Sequence, residues 1–291
     1  MLKKVTTLYG LMLLMLFFQP LQLRAEVWVF FRPDIPLHVD TVNQLKQKTK
    51  HELAFCPVGK TSFSFLESHP PEFAIALGNA AQQLALTMQW KVRILVTLVD
   101  EPASDKRLLL LNTNQPILKQ ILLLQEMNRN LKTIWYPYIS ERFVPDKILT
   151  EAAESAGIKI DACRIVKPRQ LPVCLQGLAR QDTAVILPPD PGIMNDAIIQ
   201  SILLASFRAH TPIAAFSESL VRQGCAFAYI LTPENLATAL VEIIEEVNRD
   251  PHSQDFSVKF ERWDLILNTT IIEKFLLTLP QTTRETAKKR F

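Results

Sequence analysis

The sequence predicts an α/β protein built as two Rossmann-like lobes with parallel sheets. Short segments such as Val27–Phe31 (VWVFF) and Glu72–Leu77 (EFAIAL) are apolar almost throughout, as strands covered on both faces are. Between such segments the apolar residues take a helical spacing, as at Ile198, Ile202, Ala205 and Phe207. The strand–helix series starts afresh at Thr133, and strands that alternate with helices of this length need crossover connections in a parallel sheet.

Residues 1–25 stand apart from this pattern. Lys3 and Lys4 precede the 11-residue apolar stretch Leu8–Phe18, and Leu23-Arg24-Ala25 closes it on a small residue. That layout is a secretory signal peptide, with an uncleaved inner-membrane anchor as the other reading. Removing Lys3, Lys4 and Arg24 takes the 32 basic residues to 29, equal to the 29 acidic ones. A neutral mature chain gives no electrostatic case for nucleic acid.

Val27–Phe31 is the first strand, followed by the loop Arg32-Pro33-Asp34-Ile35-Pro36 and a polar-faced helix over Val42–His51. Strands are expected at Ser62–Leu66, Glu72–Leu77, Val92–Val99 and Leu108–Leu111. Helices are expected from Ala80 to Met88 and from Pro116 to Met127. The second series places strands at Thr133–Tyr136, Ile158–Val166, Ala184–Leu187, Ile213–Phe216 and up to Leu231. Its helices end at Ala156 against a Gly157 C-cap, and cover Arg169–Arg180, the stretch around 198–207 and Asn235–Val247. Asp250–Gln254 reads as a polar break, Val258–Leu267 as a last strand, Ile271–Leu277 as a helix, and the chain from Gln281 as frayed. The expected domains are a first lobe over 26–130, to which 256–291 returns, and a second lobe over 131–255.

Cys56, Cys163, Cys174 and Cys225 contain no C-x-x-C pair, which removes the usual zinc-ribbon and thioredoxin patterns. Export permits disulfides, with three pairings open; the apolar settings of Cys163 and Cys174 favour small buried hydrophobes instead. The histidines fall in no metal-ligand spacing, and there is no G-x-S-x-G elbow, phosphate loop or G-x-G-x-x-G. No catalytic residue, metal or cofactor is expected.

In parallel sheets, ligands sit beyond the carboxyl ends of the strands, where helix N-termini offer free N–H groups. Gly78, Asn79 and Ala80 fall at such a point and suit a ligand carboxylate, the alternative being that Asn79 caps its helix. Tyr136, Tyr138 and Ser140 open the second series in the same relative place; the tyrosines offer flat faces to an amphipathic ligand or are core and surface residues. Asp190 either meets a ligand ammonium or holds the P-P-D-P-G turn, which favours the turn role. Ser217 and Glu218, and Glu101, either face a ligand or are solvated residues near helix ends.

PEFAIALGNAAQQLA and ILVTLVDEP resemble the first lobe of the periplasmic substrate-binding proteins of ABC transporters, in the branch near tryptophan/tyrosine-type binders. NQPILKQILLLQEMNRNLKTIWYPY is similar to the stretch between lobes, ILPPDPGIMNDAIIQSILLASFRAHTPIAAFSESLVRQGCAFAYI to the second-lobe signature, and FERWDLILNTTIIEKFLLTLP to the terminal segment, where the strand supplies Asn268. The resemblance covers roughly residues 70–280. It implies a type I fold whose two lobes, joined by a hinge, close on a small organic ligand such as an amino acid. It further implies a periplasmic monomer that partners an inner-membrane ABC permease. The chain departs from the pattern in lacking a G-F helix over Thr41–Lys50, in having Asn79 where Thr or Ser is common, and in carrying only 7 glycines. These departures define the alternative: the same fold with its ligand site lost, serving as a partner-binding or sensory subunit. An exported enzyme on a similar fold is the third reading.

Overall fold

The computed structural model describes residues 27–60, 67, 70–249 and 260–291. The signal segment, the strand expected at Ser62–Leu66 and the polar break at Asp250–Gln254 lie outside the described residues. The chain divides into two compact units, one of residues up to Asn112 with Ala237 to Lys259, the other of Thr113–Leu236 with Phe260–Phe291.

Unit 1 contains β1 (Val27–Phe31), α1 (Pro36–Lys48), β2 (Leu53–Pro57), β3 (Phe73–Leu77), α2 (Asn79–Thr87), β4 (Arg93–Thr97) and β5 (Leu108–Leu110). Its sheet is ordered β2-β1-β3-β4-β5. Every pairing is parallel, with Val27 opposite both Leu53 and Phe73. β1 and β3 are buried along their whole length, as their continuous apolar sequence requires. Trp28 and Phe30 project to one face, where Ala81 and Ala85 of α2, Met88 and Trp90 pack on them. The indole rings of Trp28 and Trp90 meet edge to face at 5.5 Å. Arg107 ties the far side of this layer. Its guanidinium donates to the carbonyls of Met88 and Trp90, both at 2.9 Å, and pairs with Asp105, whose carboxyl is held down to about 2 by that hydrogen bond.

The structure starts α1 six residues ahead of the expected Val42. Pro36 occupies the first turn, where its missing N–H costs nothing, and Thr41, Val42 and Leu45 face the core behind His38. β2 was not expected: LAFCP is mostly half-buried at the sheet edge and ends on a proline, so its apolar signal is weak.

Unit 2 contains α3 (Ile117–Met127), β6 (Thr133–Tyr138), α4 (Lys147–Ser155), β7 (Lys159–Arg164), α5 (Leu171–Leu175), β8 (Thr183–Ile186), α6 (Asp196–Ala209), β9 (Ile213–Ala215), α7 (Glu218–Gln223) and β10 (Phe227–Ile230). The long helix α8 (Pro233–Arg249) starts in unit 2 and passes into unit 1 after Leu236. β11 (Asp264–Leu267), α9 (Thr269–Lys274), α10 (Gln281–Thr286) and β12 (Lys289–Arg290) complete unit 2. The sheet order is β12-β11-β10-β9-β8-β6-β7. From β7 to β10 it is parallel; β11 then runs antiparallel to β10, with Phe227 opposite Leu267.

Three sequence expectations change here. α3 belongs to unit 2, because Ile121, Leu124 and Met127 share one core with Ile134, Ala184 and Phe227. Residues 264–291 join unit 2 through the β10–β11 pairing, whereas the sequence reading sends them to the first lobe. The chain end is anchored, not frayed: Lys289 and Arg290 pair with Ile266 and Leu267, Lys289 bonds Glu218 at 2.7 Å, and the Arg222 guanidinium lies 4.0 Å from the Phe291 ring centre.

Cys163 of β7 and Cys174 of α5 form a disulfide with a Cα–Cα distance of 5.9 Å, which corrects their reading as isolated hydrophobes. β7 is an edge strand whose side chains are all exposed or half-buried, and the bridge ties it to α5. Cys56 and Cys225 are free and buried, and burial pushes the Cys56 thiol up to about 12. Replacing both Cys163 and Cys174 by serine is expected to destabilise unit 2 by about 2–3 kcal/mol, seen as a lower midpoint in urea denaturation. A native thiol titration should find no reactive cysteine in the parent protein and should rise only on unfolding.

Candidate functional site

Both units present the same strand order around their first two parallel neighbours. In unit 1 β1 lies between β2 and β3, and in unit 2 β6 lies between β7 and β8. Crossovers leaving neighbouring strands in opposite directions place their helices on opposite faces, and the loops at the carboxyl ends diverge there into a crevice. The sequence-predicted residues fall at these two points and on the strands beside them.

In unit 1 the crevice lies between the loop after β1 and the start of α2. Gly78 is the N-cap of α2, with φ +85 and ψ 168, a conformation that only glycine adopts without strain. Its N–H donates to the Thr97 carbonyl at 2.9 Å, fixing it beside the end of β4. The first backbone bond of the helix runs from Gln82 to the Gly78 carbonyl, so the N–H groups of Asn79, Ala80 and Ala81 meet no acceptor among the described residues. Asn79 does not cap α2 with its side chain. Its amide donates to Asp100 at 2.9 Å and accepts from the Asp100 N–H at 3.0 Å, locking the α2 start to the loop after β4. Leu98, in that loop, holds φ +57, an unusual conformation for a bulky residue. Glu101 is exposed, and its carbonyl accepts from Gln82.

Above Gly78 stands His38, in the first turn of α1. It is 4 % exposed, and its Nδ1 accepts from the Arg32 N–H at 3.3 Å. The ring edge lies directly on the glycine: a Cβ at Gly78 would sit 2.8 Å from His38 Cε1 and 3.3 Å from Nε2. Burial, and then the Arg32 guanidinium, push the imidazole below its usual range against an opposing pull from Asp34, so the ring is neutral around pH 7. With Nδ1 accepting, the neutral ring carries its hydrogen on Nε2.

In unit 2 Asp190 occupies the crevice and is 1 % exposed. One carboxylate oxygen accepts from the N–H groups of Ile139 at 2.7 Å and Ser140 at 2.9 Å, and the other from Gly192 at 2.9 Å. These bonds staple the end of β6 to the loop after β8. The carboxylate is consumed by the protein, as its place in a proline-rich turn suggested. Ser140 is exposed and caps a single 3-10 turn over Glu141–Phe143. β6 runs two residues beyond the expected end, so Tyr138 lies on the strand rather than in a loop and packs half-buried against the core. Tyr136 shares its face and is drawn fully into that core; burial, then the Asp146 and Asp190 carboxylates, push its phenol up, and it stays protonated. Ser217 caps α7 by accepting from Leu220 at 3.3 Å. Glu218 is held by Lys289 and Arg222, whose hydrogen bonds keep its carboxyl below the usual range.

The structure thus brings Gly78, Asn79 and Ala80 together at one crevice and Tyr138, Ser140 and Asp190 at the other. Ser217 and Glu218 follow β9 on the same carboxyl edge of the second sheet. Asn268 falls at the opposite edge, because β11 is antiparallel, and it caps α9 while donating to the Val221 carbonyl at 2.8 Å. Among the described residues no cluster of histidine, cysteine or acidic side chains has the arrangement of a metal site, and no helix is long and apolar enough to cross a membrane.

The model of the family "ABC transporter substrate binding protein" matches residues 96–290, well over half of the 291-residue chain. The chain belongs to the family of ABC transporter substrate-binding proteins. No curated protein matches it in sequence. Among solved structures, a ligand-free, open substrate-binding protein with adhesive properties from Clostridium difficile shares 16 % identity over 90 % of this chain and 98 % of its own, with a TM-score of 0.69. An ABC domain from Streptococcus pneumonia in complex with L-Trp shares 14 % identity over 91 % of this chain and 100 % of its own, with a TM-score of 0.55. A conserved domain protein from Vibrio cholerae shares 17 % identity over 92 % of this chain and 100 % of its own, at 0.56. At such identities the likeness speaks for the fold, which is the type I periplasmic-binding fold of two α/β lobes with parallel sheets. The family binds solutes for ABC permeases and is not a family of enzymes.

Sequence reasoning missed two residues of this substrate-binding protein. His38 was left in a loop by a helix start placed at Val42; the signal available was Pro36, which can begin a helix close behind a strand end. Asp100 was given no role, and its pairing with Asn79, 21 residues earlier, has no local signature.

Proposed function

We propose that this substrate-binding protein receives a small organic solute, of the size and polarity of an amino acid, for an ABC importer, and that it does so as a monomer exported to the periplasm. The observation that carries this reading is the start of α2. Three consecutive N–H groups there have no acceptor among the described residues, at the carboxyl end of a parallel strand, and the site is braced by Asn79 and Asp100. In unit 2, Tyr138 and Ser140 at the end of β6 are the residues assigned to the solute. Asp190 is assigned the structural task of holding them.

Native mass spectrometry of the protein purified from its source compartment, without refolding, tests the reading by an added stoichiometric mass. The double variant Asn79→Leu with Tyr138→Ala is expected to lose that mass and to abolish transport-dependent growth while keeping its fold. A second reading has one observation in its favour. The two acids considered for contact with a ligand in unit 2, Asp190 and Glu218, are both occupied by protein donors. A protein without added mass, and without a thermal shift across amino acids and metabolites, supports a partner-binding or sensory subunit on the same fold.

A further inference from the structure

We infer that unit 2 carries a docking face for an anionic phospholipid bilayer, at the edge of its sheet opposite to the crevice. The face is built from α6, the α5 segment packed beside it and the end of α9. Neither the face nor its test depends on the solute-binding reading above.

α6 leaves the carboxyl end of β8 and stops at Ala209, shortly before β9, so its last turns lie at the amino ends of the parallel strands. α5 and the 3-10 turn Gln176–Ala179 run along the same face of the sheet, where Leu171, Cys174 and Leu178 share one core with Ile198, Ile199 and Ile202. Beside them lies a groove of about 390 Å³, lined by Leu175, Leu178, Ala205, Ala209 and, as its one charged member, Arg208. Leu204, Phe207 and Arg208 are exposed on α6 at spacings of three and four residues, which is one helix face. The Phe207 ring meets that of Phe275 at 5.9 Å and lies 4.3 Å from the Lys274 ammonium, so the end of α9 joins this face. Leu276, next in the chain, is 91 % exposed. Isolated exposed hydrophobes need no explanation, but several on adjoining elements mark an interaction site.

The charges name the occupant. Residues 162–181 include Arg164, Lys167, Arg169 and Arg180 and no acid, and residues 197–217 include Arg208 and no acid, in a chain whose 32 basic residues nearly balance 29 acidic ones. Arg164 pairs with Glu141, but Lys167, Arg169, Arg180 and Arg208 are exposed and form no ion pair with a described residue. Of the acids that border the face in sequence, Asp161, Asp182, Asp196 and Glu273, the last faces Arg284 at 3.9 Å. Exposed hydrocarbon set among unpaired cations suits a bilayer surface, where the apolar groups enter the headgroup layer and the cations meet lipid phosphates. A nucleic acid would satisfy the cations and leave Leu204, Phe207 and Leu276 uncovered. A second copy related by two-fold symmetry would bring Arg180, Arg208 and Lys274 close to the same cations of its mate. Docking at the amino ends of the strands leaves the crevice of unit 2 open.

The test is co-sedimentation of the purified protein with vesicles of phosphatidylglycerol and phosphatidylethanolamine, against vesicles of phosphatidylcholine alone. Binding is expected to be at least about tenfold stronger on the anionic vesicles. It should be lost as added salt shortens the Debye length from about 10 Å to about 3 Å. Each cation at an anionic surface is worth about fivefold in partitioning, so Arg180→Gln with Arg208→Gln is expected to weaken binding about 25-fold. Leu204→Ser with Phe207→Ser is expected to weaken it by about tenfold or more. All four side chains are exposed, and an unchanged thermal midpoint shows that each variant folds. In the parent protein, amide hydrogen exchange across the last turns of α6 should slow when anionic vesicles are added, a readout that needs no variant. Unchanged exchange there, or a folded arginine double variant with parent affinity, overturns the placement of the face. Equal binding to phosphatidylcholine overturns the anionic class. Binding to neither vesicle overturns the inference, and a dimer in sedimentation velocity that the same variants dissolve would then assign the face to a second copy of the chain.

Discussion

Replacing Asp190 by alanine is expected to destabilise unit 2 by about 3 kcal/mol or more. This follows from three backbone N–H groups, those of Ile139, Ser140 and Gly192, losing a carboxylate that is 1 % exposed. The midpoint of thermal unfolding should fall by about 6–12 °C in a unit of this size. Asp190→Asn keeps one acceptor oxygen and can serve either the Ile139–Ser140 pair or Gly192, so an intermediate loss is expected. The distinction matters for function. If Asp190 met only a ligand, alanine would abolish binding and leave the midpoint within a degree or two.

Gly78→Ala is the second large effect, expected to cost unit 1 about 2–4 kcal/mol. Two penalties are separable. The backbone at φ +85 and ψ 168 disfavours any Cβ, and the new methyl would stand 2.8 Å from His38 Cε1. Adding His38→Ala removes the second penalty and not the first, so the double variant should be less destabilised than the two single losses summed, by about 1 kcal/mol. Urea denaturation of the four proteins gives this coupling directly. Strict additivity would mean that the ring can swing aside at no cost.

What the sequence made legible follows the strength of local signals. VWVFF and FAIAL are strands because an uninterrupted apolar run suits burial on both faces, and both came out within a residue of their structural bounds. Pro137 misled the reading of β6: the strand continues through it to Tyr138, which brought a predicted loop residue onto the sheet. Arg169–Arg180 reads as one helix and is instead a short helix between 3-10 turns, carrying a disulfide to β7 that no spacing rule could identify. The candidate site divides in the same way. Gly78 and the turn role of Asp190 were visible because glycine and proline report backbone geometry locally. The partners that define the site, Asp100 for Asn79 and Ile139 with Ser140 for Asp190, lie 21 to 51 residues apart in sequence. His38 became visible only once α1 was seen to begin at Pro36.

Neither unit is a continuous length of chain, and this constrains the order in which the protein can be made. Unit 1 draws in residues from α8, and the sheet of unit 2 takes its last strands from residues beyond 260. An emerging polypeptide therefore cannot finish one domain before beginning the next, as tandem domains do. The stretch up to Asn112 can pair its five parallel strands early but stays short of its final packing until α8 has been synthesised. The β10 edge likewise remains open until β11 arrives. Such delayed, long-range closure favours slow folding and prolonged exposure of apolar strands, and it makes a factor that holds the chain unfolded until its full length is available a natural companion of this topology.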